Sequence, residues 1–146
     1  VHIHNLTPYK LSVRIPVGTY LVSGNTSVQN MVTRQETKIL LDVDESSTVP
    51  LEAACANMRR EVPDSSRRFT VQRSLHQEEL ARLMPILEKE NAPYLVCQAA
   101  VWIVTDNADY YRLGTLVRRR RGSFDGDRQI NAYEAVYAIN SVTRLA

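Results

Sequence analysis

Residues 94–104 have the sequence YLVCQAAVWIV, an almost uninterrupted apolar run in which Gln98 is the one side chain that carries a full amide. The triplet at 91–93, Asn-Ala-Pro, precedes the run and places a proline close to the first helical position. The triplet at 105–107, Thr-Asp-Asn, ends it. Because a helix that is apolar all round is normally enclosed by protein, we predict a helix here that is buried on most of its sides.

Further helices are predicted on both sides of this segment. Residues 74–77, Ser-Leu-His-Gln, fit a capping box, and an apolar stripe at helical spacing follows them at Leu80, Leu83, Met84 and Leu87. Pro85 interrupts the stripe and is expected to kink or divide the helix. Asp109 is expected to cap a short helix through Val117, and Asp127 to cap a last helix from Arg128 to about Val142.

The first half of the sequence indicates strands. In residues 9–15, YKLSVRI, apolar and polar residues alternate, and this period of two predicts a strand with one apolar face. Short strands are also predicted at 19–22, 28–33, 37–43 and 69–72, and a further strand at 48–51, which Pro50 would place at a sheet edge. Strands of this length and spacing indicate a small antiparallel sandwich.

Strands therefore precede helices along the chain, and this segregation predicts an α+β fold. We expect a small antiparallel β-sandwich half at residues 1–72, packed with a helical half at residues 73–146. The 146 residues, 44% hydrophobic and 23% charged, fit a globular domain and exclude disordered, collagen-like and coiled-coil proteins. We expect no transmembrane helix and no membrane partner, since no sufficiently long apolar run occurs. We also expect no signal peptide, since no basic stretch followed by an apolar stretch is present at Val1.

The net charge of +2 is unevenly distributed. The excess of positive charge lies in the last quarter of the chain, mainly in Arg118, Arg119, Arg120 and Arg121. Such a run is able to bind a polyanion, but the Gly, Ser and Asp residues that follow it favour a solvated loop. Aromatic residues do not alternate with the arginines, so a nucleic-acid partner is not indicated.

The two cysteines, Cys55 and Cys97, leave several interpretations open. They fit a disulfide, which would close a long loop, or two free buried thiols. A third interpretation involves Gln98, because a buried amide needs a hydrogen-bonding partner. Successive helical residues point about 100° apart, so Cys97 and Gln98 do not both face Cys55. Either sulfur meets sulfur, or the Cys55 sulfur meets the Gln98 amide.

Residues 98–102, Gln-Ala-Ala-Val-Trp, resemble the Gln-x-Ala-Ile/Val-Trp motif of thioester domains in surface proteins of Gram-positive bacteria. The resemblance implies that Cys55, earlier in the chain, bonds covalently to Gln98 with release of ammonia. It implies that Trp102, one turn beyond Gln98, shields the bond from water. The sequence differs from the family in having Cys97 where the family has Thr, and its Cys and Gln are closer together.

The chemistry implied by the resemblance assigns roles to further residues. A thiolate would attack the amide, and Arg59 and Arg60 are candidates for lowering its pKa. Asn57 is a candidate donor to the developing oxyanion. The thioester would then await an amine or hydroxyl nucleophile on a protein or glycan.

The leading hypothesis is therefore an extracellular or cell-surface module that attaches covalently to its partner, without turnover and so not an enzyme in the usual sense. The alternative is a non-covalent module that recognises protein or glycan and has structural cysteines. A third hypothesis is a polyanion binder that uses the arginine run. No cofactor and no metal is expected, since His2 and His4 share a strand face but have no Cys or carboxylate near them in sequence.

Overall fold

The computed structural model describes residues 1–113, 117–118, 127–128 and 130–145. Antiparallel sheets and helices pack together, so the fold class is α+β. The strands of the first half are β1 His2–His4, β2 Leu11–Ile15, β3 Tyr20–Ser23, β4 Asn30–Thr33, β5 Thr37–Leu41, β6 Ser46–Thr48, β7 Ala53–Ala56 and β8 Phe69–Val71. The later elements are helices α1 Gln77–Lys89, α2 Tyr94–Asp106, α3 Tyr110–Leu113 and α4 Ala132–Thr143, with short strands β9 Val117–Arg118 and β10 Asp127–Arg128.

The central sheet has four strands in the order β7-β4-β3-β8, and every pairing in it is antiparallel. Three two-stranded sheets accompany it, formed by β1 with β6, β2 with β5, and β9 with β10. One face of the central sheet carries the buried side chains of Val32, Ala54 and Ala56, which belong to the same apolar cluster as the helices. This cluster joins the strand-rich and helical parts of the chain in one core.

Helix α2 lies at the centre of the helical layer and packs against α1, α4 and β7. Its residues 96–102 are all buried, which confirms the prediction that this apolar helix is enclosed on most sides. The helix begins after Pro93 and ends at Asn107, whose φ of 50° is left-handed. None of the helices in the described part of the chain is long and apolar enough to cross a bilayer.

The local structure differs from the sequence predictions in two places. The strand predicted at 48–51 is absent, because β6 ends at Thr48 before Pro50, and the pairing strand is instead β7, which the sequence did not predict. Of the two effects expected of Pro85, division of the helix does not occur, since α1 runs unbroken through it, whereas a kink stays a prediction. Pro85 is on the exposed face, where water can satisfy the carbonyl that a proline leaves unpaired, and the buried stripe Leu80, Leu83, Met84 and Leu87 anchors the other face.

The predicted helix starts are correct only in part. Asp109 caps α3, since its Oδ1 accepts a hydrogen bond from the Arg112 N–H at 2.9 Å, but Val117 lies in β9. The last helix is capped by Asn131 in a capping box with Glu134, whereas Asp127 lies in β10. At α1 the N-cap is His76, and a Ser74–Gln77 hydrogen bond of 3.3 Å precedes the helix.

Candidate functional site

The site begins at the free edge of the central sheet. Strand β7 is an edge strand, and its Cys55 is in register with Met31 of β4. The main-chain N–H and C=O of Cys55 point away from β4 toward helix α2, because both bond to a side chain of that helix. A buried sheet edge must find partners for such groups, and here α2 supplies them.

The partner is the side chain of Gln98, which is 2% exposed. The Cys55 N–H donates to Gln98 Oε1 at 2.8 Å, and Gln98 Nε2 donates to the Cys55 carbonyl oxygen at 2.6 Å. The Tyr94 hydroxyl donates to the same Oε1 at 3.1 Å. The structure thus brings Cys55 and Gln98 together, and the amide pairs with the main chain of the cysteine as a neighbouring strand would.

The two reciprocal hydrogen bonds define where the amide carbon lies. They hold Oε1 opposite the Cys55 nitrogen and Nε2 opposite the Cys55 carbonyl oxygen, so the Gln98 Cδ lies beside the Cys55 Cα. The thiol is attached to that same Cα through Cβ. A side chain of a strand stands roughly perpendicular to the sheet, so rotation about the Cα–Cβ bond moves Sγ toward or away from the amide at the edge.

The Cys55 side chain lies on the sheet face opposite the helices. Cys55, Met31, Leu21 and Val71 are consecutive partners in register across the sheet, so their side chains share one face. The last three of them line a groove of about 630 Å³ on that face. Cys55 therefore stands at the end of a row of side chains whose other members form the floor of an open apolar groove.

Burial raises the pKa of the Cys55 thiol above its ordinary value. This is opposite to the lowered pKa that the sequence hypothesis expected from Arg59 and Arg60. Both arginines follow the turn at Asn57 and are exposed, so water screens their charge. The buried thiol is correspondingly in its protonated form at neutral pH.

Three side chains at the surface, Tyr94, Arg34 and Glu52, form a contact network next to the Gln98 amide. Tyr94 is 46% exposed, and the Arg34 guanidinium lies 5.6 Å from the centroid of its ring. Arg34 is held in turn by Glu52, whose Oε2 accepts from Arg34 Nη2 at 3.0 Å and from Nε at 3.2 Å. Sequence reasoning missed these residues, although Tyr94 precedes Gln98 by four positions, the spacing that puts two helical side chains on one face.

The two supporting residues expected from the sequence lie in different surroundings. Trp102 is 7% exposed, follows Gln98 by one helical turn, and its Nε1 has no hydrogen-bond partner among the described residues. Asn57 has a left-handed φ of 64°, and its Oδ1 accepts from the Tyr20 hydroxyl at 3.5 Å. Within the described part of the chain, the donors to Gln98 Oε1 are Cys55 and Tyr94, not Asn57.

Both thiols are free and buried. Cys97 belongs to the apolar cluster of the helical side, and its Sγ lies 3.6 Å from the Ala92 carbonyl oxygen, to which it donates. Cys55 stands on the other face of the sheet. This separation follows the helical geometry that directs Cys97 and its neighbour Gln98 to different sides of α2.

The remaining candidates do not join this site. His2 pairs with Thr48 Oγ1 at 3.0 Å and His4 with Asp44 Oδ1 at 2.9 Å. No group of three His, Cys, Asp or Glu side chains that suits a metal ion occurs among the residues described. The side chains of Arg118, Arg119, Arg120 and Arg121 lie outside the described part, so polyanion binding stays a prediction.

Comparison of the chain with models of known protein families, with curated proteins and with solved structures found no match in any of the three.

Proposed function

We propose that this protein is a surface or secreted binding module that attaches covalently to a partner through an internal thioester between Cys55 and Gln98. The observation that carries the proposal is the reciprocal pairing of the Gln98 amide with the Cys55 main chain, which keeps the amide carbon beside the residue that bears the thiol. In this proposal the strands of residues 1–72 form a small sandwich that presents Cys55, and the helices of residues 73–146 present Gln98.

Formation of the bond balances without any further reactant. The Cys55 sulfur adds to the Gln98 Cδ, and the carbon–nitrogen bond of the amide breaks. The departing NH₂ group takes up the thiol proton and leaves as ammonia. Sulfur and carbon keep their oxidation states, so no oxidant or reductant is needed.

Opening the bond transfers the glutamine to the partner. An amine or hydroxyl attacks Cδ, the carbon–sulfur bond breaks, and the proton of the nucleophile passes to the Cys55 sulfur. The products are an amide or ester that joins Gln98 to the partner, and a free thiol. Because no later step releases the partner from Gln98, each molecule of the protein reacts once.

Burial of the pair supports the proposal. Cys55 is 8% and Gln98 2% exposed, and a thioester kept away from bulk water is protected from hydrolysis. Trp102 contributes to the apolar surroundings of the same helix. The raised pKa of the thiol also has a consequence, since the thiolate is the nucleophile and is scarce at neutral pH. Formation of the bond is therefore expected to be slow and to accelerate as the pH rises.

Intact-mass spectrometry tests the proposal. The wild-type protein is expected to weigh one ammonia less than its sequence, and methylamine is expected to raise the mass by one methylamine. Cys55→Ala and Gln98→Ala should each abolish the mass loss, whereas the matched variant Cys97→Ala should retain it. A wild-type mass equal to that of the unmodified chain, before and after incubation at alkaline pH, would contradict the proposal.

The groove on the outer sheet face favours a second candidate, a module that recognises protein or glycan without covalent attachment. Its floor consists of apolar side chains, including Leu21, Met31 and Val71, and its volume of about 630 Å³ is in the range of small-ligand sites. In this case Gln98 serves only to satisfy the edge of β7, and the cysteines are structural. The mass of the chain is then unmodified, and Cys55→Ala leaves partner binding unchanged.

A further inference from the structure

We propose that Tyr94 is a catalytic residue of the thioester chemistry: its hydroxyl and the Cys55 N–H together bind the Gln98 carbonyl oxygen when that oxygen becomes negatively charged. The inference rests on the proposed function and adds a residue to it. It replaces Asn57, the candidate oxyanion donor of the sequence analysis, with a side chain that contacts the reacting group.

The geometry of the two donors carries the inference. The Cys55 N–H approaches Oε1 to 2.8 Å and the Tyr94 hydroxyl to 3.1 Å, so both donors already bind the oxygen in the amide. When a nucleophile adds to Cδ, the electrons of the double bond move to Oε1. Donors that are already in place stabilise this charge without reorganisation, and within a buried site their effect is larger than in water.

The same two donors serve both directions of the chemistry. Attack by the Cys55 sulfur on the amide and attack by an amine on the thioester each produce a tetrahedral carbon with a negative oxygen. The oxygen is Oε1 in both cases, since only the nitrogen leaves during thioester formation. A single oxygen-binding site therefore accelerates formation and opening of the bond.

Neighbouring side chains keep Tyr94 suited to this role. The Arg34 guanidinium, which Glu52 holds by two hydrogen bonds to one carboxylate oxygen, lies over the ring. This contact restricts the orientation of the ring. Burial raises the pKa of Tyr94 above its ordinary value, so the hydroxyl keeps its proton and remains a donor at neutral pH.

Tyr94→Phe tests the inference, because phenylalanine keeps the ring beneath Arg34 and removes only the hydroxyl. We expect the rate at which methylamine opens the thioester, followed by intact mass, to fall about 10²-fold, the usual cost of removing one oxyanion donor. Ammonia release after refolding at alkaline pH should slow to a similar extent. Tyr137→Phe is the matched control, since it removes a hydroxyl that donates to Glu90 outside the site. Its rates should equal those of the wild type.

The outcomes separate this inference from the proposed function. If Tyr94→Phe folds, loses ammonia and opens within twofold of the wild-type rate, the role of Tyr94 is refuted while the thioester stands. If the folded variant releases no ammonia whereas Tyr137→Phe does, formation has become too slow to observe, which supports the inference. If the wild type itself never loses ammonia, the proposed function and this inference fail together. Urea unfolding of each variant establishes that it is folded.

Discussion

Gln98→Met in a Cys55→Ala background measures what the glutamine contributes to the fold alone. The background removes the thiol, so no thioester forms, but it leaves the main chain of residue 55 in place. Methionine keeps the length and apolar stem of glutamine and loses the amide. The substitution therefore leaves the buried N–H and C=O of residue 55 without the partners that Gln98 provides at 2.8 and 2.6 Å.

The size of the expected loss of stability follows from these two main-chain groups of residue 55. A buried main-chain donor or acceptor that loses its partner costs about 1–3 kcal/mol, so the pair costs about 2–6 kcal/mol. Part of this loss is offset, because the apolar methionine side chain is buried more favourably than the amide that it replaces. We expect the free energy of unfolding to fall by about 2–4 kcal/mol, a large share of the roughly 5–15 kcal/mol of a typical domain.

Urea denaturation followed by circular dichroism is the assay. With a slope of about 2 kcal/mol per molar urea, the middle of the usual range, the expected loss lowers the midpoint by about 1–2 M. Gln29→Met is the matched control, since Gln29 is also 2% exposed but its Oε1 has no hydrogen-bond partner among the described residues. It should change the free energy of unfolding by less than about 1 kcal/mol. If Gln98→Met costs no more than this control, Gln98 does not hold the edge of β7.

Three further predictions concern pH, a turn and a helix cap. Burial raises the pKa of both Cys55 and Cys97, so folding favours the protonated thiols. Their contribution to the free energy of unfolding is complete below the ordinary thiol pKa and is lost as the pH rises through the raised pKa values of the folded protein. The sample for this test is protein whose thioester has been opened with methylamine. Its urea midpoint should decline at alkaline pH, and Cys97→Ala should lessen the decline. A midpoint that does not change with pH would refute this prediction. Gly18→Ala should lower the thermal midpoint and reduce the free energy of unfolding by at least about 1 kcal/mol. The reasons are that Gly18 has a φ of 79° and that an added Cβ would lie 3.2 Å from the Leu80 carbonyl oxygen. An unchanged midpoint would show that the turn relaxes. Asn131→Ala should cost about 1 kcal/mol in urea unfolding through loss of the capping box of α4, and a neutral effect would contradict that assignment.

The helices and most strands could be predicted because their signals are local. The apolar run at 94–104 leaves α2 no exposed face, and the alternation in residues 11–15 fixes the face that β2 presents. Strand β7 could not be found in this way. Its residues, Ala-Ala-Cys-Ala, have little intrinsic preference for a strand, and its conformation depends on pairing with β4 and packing against α2.

The candidate site was predictable to the level of residues but not of atoms. The order of Cys55 and Gln98 and the motif around Gln98 directed attention to both, and the structure places them in contact. The sequence did not indicate that the amide would bond to the main chain of Cys55 rather than meet its sulfur. It also did not indicate Tyr94 or Arg34, because the contact between them depends on how the chain that follows β4 approaches α2 in the fold.

The structural and chemical roles of Gln98 are linked through its nitrogen. In the amide, Nε2 satisfies the Cys55 carbonyl oxygen, and Oε1 accepts from two donors. In the proposed thioester the nitrogen is gone, so the carbonyl oxygen loses its donor while the two bonds to Oε1 remain. An unpaired buried carbonyl costs about 1–3 kcal/mol, so formation of the thioester must overcome this cost. Opening by an amine does not restore the lost hydrogen bond, because the new amide is trans: its N–H points away from the Cys55 carbonyl, and the substituent of the partner takes the place of the hydrogen that Gln98 had used. The reciprocal pair therefore stabilises the edge of β7 only while Gln98 is an unmodified glutamine, and the two donors to Oε1 are the part of the arrangement that the proposed chemistry retains.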